Sequence, residues 1–294
     1  MGPRRLRCSH GRREVTAAVE VDAPAEVEPG VYDIPAEVYH SDPVPGGSLS
    51  STGARKLATQ CPAAFKHWLD NPEPAKKEFD FGTAAHKVVL EDGPELVLVD
   101  RDRWDTNEVK ERIKKIRAAG KIPLKQRDLD KVHAMAKALR EHPEAAELLK
   151  PGSGAAERTI IWNDRGVWRR IRIDWARHDG TLVDYKSCRS ANPSKLSNHI
   201  FEYGYHQQQE YYRDGALEFG LTELVCPFKF IFQEKEPPYL VSVIELDSTA
   251  CGIGRHLNEV ALNTYALCRE AGEWPGYINT PLISLPAWVE RQYR

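Results

Sequence analysis

Apolar positions recur along the chain at two different periods. Leu57, Cys61, Ala64, Phe65 and Trp68 are spaced so that one face of a helix is apolar. Ser50 or Ser51 can cap the start of this helix, and Pro62 is expected to kink or split it. A second helix is predicted over 81–91, where Gly82 and His86 share a face and Gly82, Thr83, Ala84 and Ala85 would permit close packing against a sheet. A short strand is predicted over 96–99. Helices follow over 128–141 and 143–150, after a loop at Gly120-Lys-Ile-Pro that suits a mobile element. The period then switches to two. Strands are predicted over 157–162, 167–174 and 182–187, joined by turns at Asn163-Asp-Arg-Gly and His178-Asp-Gly, and together they form a β-meander. A helical stretch over 193–220, strands over 224–232 and 239–246, and a helix over 248–270 complete the pattern; the tail is expected as coil. This order predicts one α/β domain over 31–294, with a mixed central sheet carrying the meander and helices flanking it. Residues 1–30 are expected as a disordered leader.

The meander carries the candidate chemistry. Asp174 ends its second strand, and Asp184, Tyr185 and Lys186 lie in its third. Alternation puts Asp184 and Lys186 on one face and Tyr185 on the other, and a hairpin could bring Asp174 beside them. Carboxylates at the ends of core strands are costly unless paired or bound to metal. Mg²⁺ prefers oxygen ligands and is often held by one or two carboxylates. Asp174 and Asp184 could supply these, and the Tyr185 backbone carbonyl could add a third oxygen. Lys186 is read as positioning water and stabilising charge, because general-base work would require a depressed pKa.

Composition narrows the partners. The chain has 294 residues, 41% hydrophobic, with a formal net charge of −2. Nucleic-acid binding would therefore depend on local clusters of cations. One such cluster is a basic helical arm over about 107–131, with Lys110, Lys114, Lys115, Arg117 and Lys121; Arg55 and Lys56 form a smaller one. No apolar run is long enough to span a membrane. The six cysteines are scattered and include no C-x-x-C pair, which points to a reducing cytoplasm.

An ordered series of motifs gives the set its specificity. Leu49-Ser-Ser-Thr and Cys61-Pro-Ala-Ala-Phe come first, then Gly82-Thr-Ala-Ala-His86, Glu157, Arg172-Ile-Asp174-Trp, Asp184-Tyr-Lys186-Ser, and Tyr205-His-Gln-Gln208 through Tyr212-Arg-Asp-Gly. In this the chain resembles the PD-(D/E)xK nuclease superfamily, in its RecB-like branch, and is most similar there to the RecE-type (exonuclease VIII) C-terminal nuclease domain of phages and prophages. The resemblance covers roughly residues 30–235. It implies a restriction-endonuclease-like core, metal ligation by His86, Asp174 and Asp184, and a catalytic role for Lys186. Gln208 and Tyr212 would contact substrate or brace the site, and Glu157 would support the metal shell or contact DNA. It also implies two Mg²⁺ ions, with Mn²⁺ as a substitute, and hydrolysis of double-stranded DNA ends from 5′ to 3′. A RecT-like annealing partner and a homo-oligomeric ring go with it. The sequence departs from the iron–sulfur relatives: Cys61 stands where a first cluster cysteine would fall, but no C-terminal C-x-x-C exists, so no iron–sulfur cluster is expected. No Walker A motif is present, so no ATP requirement is expected. Two other readings stay open: a RecB-like nuclease acting on single strands, and a non-catalytic DNA-binding scaffold of the same fold.

Overall fold

The computed structural model describes residues 27–71, 77–101, 103–225, 227–277 and 283–293. In chain order the elements are β1 (Gly30–Tyr32), α1 (Ala36–His40), β2 (Leu49–Ser50), α2 (Ser51–Thr59), α3 (Pro62–Asp70), α4 (Lys77–Leu90) and β3 (Leu96–Leu98). Next come α5 (Asn107–Ala118), β4 (Ile122–Leu124), α6 (Gln126–Glu141), α7 (Pro143–Leu148), β5 (Gly154–Asp164), β6 (Val167–Arg177) and β7 (Leu182–Cys188). The chain ends with α8 (Pro193–Tyr203), α9 (Tyr205–Glu218), β8 (Phe228–Glu234), β9 (Val241–Ile244), α10 (Ser248–Ala271) and α11 (Ala287–Gln292).

One mixed sheet of seven strands runs β1-β5-β6-β7-β8-β9, with β2 added to β6. The pairing of β6 is lopsided. Along one edge it pairs with β5 from Gly154↔Arg177 to Asp164↔Val167. Along the other it meets β7 only at Trp175↔Val183 and Ala176↔Leu182, and β2 only at Leu49↔Arg169 and Ser50↔Arg170. Strand β7 leaves β6 to run parallel with β8, from Leu182↔Phe228 to Cys188↔Glu234. A notch therefore opens along β6 between Ile171 and Asp174, with β2 on one side and β7 on the other.

The same point is where β5 and β6 change faces. Ile160, Trp162, Ile171 and Ile173 pack into one core with Phe230, Phe232, Tyr211, Leu57 and Phe65. Ala156 and Trp175, which strict alternation would put with them, instead join a second core with Tyr185, Ile231, Ala84, Ala85 and Met135. The switch falls at Glu157 and Asp174, which stand opposite each other between the pairs Ala156↔Trp175 and Arg158↔Ile173. Glu157 has a φ of 53°, a left-handed backbone uncommon for a residue with a Cβ. Such conformations persist where the surrounding structure enforces them.

The helices that flank the notch are specified locally. Ser50 caps α2 by accepting from the Gly53 N–H at 3.1 Å, and Pro62 opens α3, so the proline splits the predicted helix. Gly204 ends α8 with φ 64° and divides the helical stretch expected over 193–220. Helix α10 crosses α9 at Gly254, where a Cβ would stand 2.2 Å from the His206 carbonyl oxygen. Gly254→Ala is expected to destabilise the protein by about 1–3 kcal/mol through forced separation of the two helices. Urea denaturation reads this directly, and an unchanged midpoint would contradict the close approach.

Other expectations are corrected. The leader expected over 1–30 lies outside the described residues up to 26, but Val27 is buried with Tyr32, Val44 and Ile161, and Gly30 begins β1. Of the mobile loop expected at Gly120-Lys-Ile-Pro, Ile122 and Pro123 instead belong to β4, paired in parallel with β3 from Leu96↔Ile122 to Leu98↔Leu124. The basic stretch 107–131 is accordingly no free arm: Val109 and Ile113 of α5 pack with Val99, Trp104 and Ile116. The strand expected over 224–232 begins at Phe228, with Leu224 and Val225 exposed before it. The tail expected as coil includes α11. Among the described residues no helix is long and apolar enough to cross a membrane.

Candidate active site

The notch collects the acidic residues. Asp174 closes it from β6: its Oδ2 accepts from the Tyr185 N–H at 2.8 Å, replacing the strand pairing that β6 and β7 abandon there. Glu157, across β5, points to the same place because of its left-handed backbone. His86 approaches from α4, its Nδ1 3.6 Å from Asp174 Oδ2. One ligand atom each from His86, Glu157 and Asp174 lies within 4.8 Å of the other two. The His86 ring also hydrogen-bonds the Tyr185 backbone and stands edge-on to the Tyr185 ring, 5.1 Å between centroids. This brings the Tyr185 main chain to the site.

Asp184 sits beside this group on the other face of β7. It is 1% exposed. Gln208 Nε2 donates to its Oδ2 at 2.8 Å, and the Lys186 ammonium pairs with its Oδ1. Lys186 Nζ lies 5.3 Å from the centroid of the Tyr205 ring. A cavity of about 340 Å³ opens over Lys186 and Gln208, walled by Ser51, Thr52 and Arg55 of α2 and by Tyr203, Tyr205 and Tyr212. Gln208 and Tyr212, one turn apart on α9, thus meet the same cavity. The Tyr212 ring packs edge-on against Phe228, 6.5 Å between centroids, which anchors α9 to the sheet.

The electrostatics follow from burial. Burial, with the Asp174 charge second, pushes Glu157 up to about 7 against the pull of Arg172. Burial lifts Asp184 to about 6, with Lys186 working the other way, and raises Asp174 above its ordinary value. Burial and the Lys186 charge lower His86 to about 4, so its ring is neutral at physiological pH. Burial alone disfavours the Lys186 ammonium, but Asp184, Asp174 and Tyr205 outweigh it and hold the group above its ordinary value. Lys186 is therefore held as a cation.

Two buried carboxylates, Asp174 and Asp184, the half-buried Glu157 and a neutral imidazole form a donor set that fits a hard divalent cation. The resemblance implies a ligand set of His86, Asp174 and Asp184, with Glu157 supporting the metal shell or contacting DNA. The tight group is instead His86, Glu157 and Asp174, with Asp184 alongside under the hold of Lys186 and Gln208. Arg172 fixes Glu157 through its Nε and bonds the Ile34 carbonyl at 2.7 Å. Its place two residues before Asp174 was the available signal. Gly82, one turn before His86, has no described atom within 4 Å of a built Cβ, so it leaves the approach to His86 open rather than packing on the sheet.

The expected DNA contacts divide. Arg55 lines the cavity and donates to the Tyr203 carbonyl at 2.7 Å. Lys56 turns away onto the Trp68 ring, 5.1 Å from its centroid. Arg117 pairs with the buried Asp80 at 2.5 Å, and Lys121 with Glu95 at 2.8 Å; both are engaged within the fold. Lys110, Lys114 and Lys115 are exposed on α5, which packs on β4.

A meander whose third strand leaves the second beside a carboxylate pair, with an aspartate and lysine on the departing strand and a histidine from a flanking helix, defines a PD-(D/E)xK core. Residues 50–280 match the family described as a PDDEXK-like domain of unknown function, DUF3799, and the chain belongs to that family. Among solved structures it is similar to an inferred exonuclease from Eubacterium rectale, at 14% identity and a TM-score of 0.60, over 88% of this chain and 98% of that one. An alkaline exonuclease from Laribacter hongkongensis aligns at 14% identity and a TM-score of 0.25, over 66% of this chain and 98% of that one. A phage-related exonuclease from Haemophilus somnus aligns at 11% identity and a TM-score of 0.29, over 65% of this chain and 95% of that one. No curated protein matches the chain by sequence.

Proposed function

We propose that the protein is a metal-dependent exonuclease acting on double-stranded DNA ends. The observation that carries this reading is the convergence of Glu157, Asp174 and His86 beside an Asp184 held between Lys186 and Gln208, the last two of which line a cavity open to solvent. His86, Glu157, Asp174 and Asp184, with the Tyr185 carbonyl, would hold Mg²⁺, or Mn²⁺ in its place, as one or two ions. Bound there, the metal would supply charge neutralisation on the scissile phosphate and acidify a water molecule. The protein's own groups do the rest. Lys186, kept charged by Asp184 and Asp174, faces the cavity where the phosphate and the attacking water would meet. Gln208 fixes the Asp184 carboxylate by occupying Oδ2, and Arg55 adds a second cation at the rim.

Digestion from 5′ to 3′, independence from ATP, and delivery of 3′ tails to a RecT-like annealing protein belong to this proposal, as does a homo-oligomeric ring that would keep the enzyme on its substrate. End-labelled linear duplex with Mg²⁺ tests the reaction. Loss of label at the 5′ end first supports the polarity; an intact duplex under all divalent cations would sink the reading. The same assay on single strands separates the RecB-like alternative. Gln208→Ala is expected to lower kcat/KM about 10- to 100-fold by freeing Asp184, with Gln208→Glu lower still because a carboxylate cannot donate to Oδ2. Equal activity in wild type and both variants would remove Gln208 from the site.

A further inference from the structure

We propose that Tyr203 is a stacking platform for an unpaired terminal nucleobase of the DNA strand entering the cavity. This rests on the nuclease reading and goes beyond it by stating what the cavity does to the end of the duplex. Tyr203 is 55% exposed, yet its setting is rigid. Its ring lies nearly parallel to that of Tyr205, 5.7 Å between centroids at 19°, and 4.5 Å from His199. Tyr205 is in turn packed on Phe230 and Phe232. Arg55 ties down the Tyr203 carbonyl, and the following Gly204 has φ 64°, with a built Cβ only 2.8 Å from Arg55 Cδ. The corner between α8 and α9 is thus built to hold the ring at the wall of the cavity.

The chemistry of that wall selects the occupant. Lys186 and Arg55 offer cations for phosphate, and Tyr203 offers an aromatic ring beside them. Phosphate and a base face together describe a nucleotide. Within a duplex the faces of a base are covered by its neighbours, so a ring at this position can stack only on a base at the end. Reaching Lys186 then requires that end base to leave its partner. Stacking of a base on an aromatic side chain is sequence-tolerant, as an exonuclease needs. Phe201 serves as the internal control: it is 74% exposed but stacks on His206 and lines a separate apolar groove.

The test uses the full chain and a duplex with 2-aminopurine as the 5′-terminal base, bound in Ca²⁺ so that no turnover is needed. Wild type, Tyr203→Phe, Tyr203→Trp and Phe201→Ala should all quench the 2-aminopurine fluorescence. Tyr203→Ala and Tyr203→Leu should not, the second keeping apolar bulk without a π face. In Mg²⁺, Tyr203→Ala should raise KM about tenfold on paired ends with little change in kcat, and a mismatched terminal pair should lessen the defect. Circular dichroism confirms that each variant is folded. Absence of quenching by wild type, or equal quenching by Tyr203→Ala, overturns the proposal. Turnover is measured separately, so the nuclease reading can fail while the stacking signal persists, and the reverse.

Discussion

Asp184→Asn and Lys186→Gln are each expected to reduce Mg²⁺-dependent hydrolysis of duplex ends on the order of a thousandfold or more. Asp184 is the link between the two halves of the site. It meets the Lys186 ammonium and the Gln208 amide and lies close to the neutral His86 ring and the Asp174 carboxylate. The amide in Asp184→Asn keeps size and can still accept from Gln208, but it brings no charge to the metal and leaves Lys186 with only Asp174 as a strong anionic neighbour. Lys186→Gln removes the cation at the cavity floor and leaves the buried Asp184 unpaired. Because the two act as a unit, the double variant should be no slower than the worse single one. Both proteins should retain their far-ultraviolet circular dichroism and bind duplex in Ca²⁺. Activity within tenfold of wild type in Asp184→Asn would falsify the assignment of this site as the reaction centre.

Much of the arrangement is legible in the amino-acid sequence, and the parts that are not have physical reasons. The period-two run and its turns define the meander, and alternation along 182–187 separates Asp184 and Lys186 from Tyr185, as the two cores show. Glu157 is different. Alternation alone would put it opposite Asp174, but its aim into the notch depends on a positive φ that no propensity of glutamate predicts. His86 is a lone helical histidine, and only the packing of Ala84 and Ala85 onto Tyr185 brings it to the carboxylates. Strand β4 escapes notice because Gly120 and Pro123 read as a loop, yet the parallel pair with β3 accommodates Pro123. The basic stretch around it reads as a DNA arm; a count of charges does not reveal that Arg117 and Lys121 have acidic partners far away in sequence. Tyr203 carries no motif and is found only through the cavity it lines.

Divalent-cation affinity should rise about 100-fold between roughly pH 5.5 and pH 7.5, then level off. The metal takes ionised carboxylates and a neutral imidazole. Glu157, pushed up to about 7, and Asp184, pushed up to about 6, must each lose a proton for binding, so both weaken it at low pH. His86, drawn down to about 4, is already neutral across the range and adds no dependence. Stability without metal has a different shape. The carboxylates lie above their unfolded values, so their contribution is fully present below roughly pH 4 and is lost as pH rises through 6 and 7. His86 has the opposite sign: its contribution is present above roughly pH 6.5 and is lost as pH falls toward 4. Between roughly pH 4 and 6.5 the two oppose each other; above that only the carboxylate loss continues. The rise in Tm on adding Ca²⁺ or Mg²⁺ should therefore be larger at about pH 8 than at about pH 5.5. Calorimetry in two buffers of different ionisation enthalpy would count the released protons, approaching two near pH 5.5 and none at about pH 8.5. Glu157→Gln should remove the upper step and leave one near 6, carried by Asp184. A flat affinity across this range would take both residues out of the ligand set.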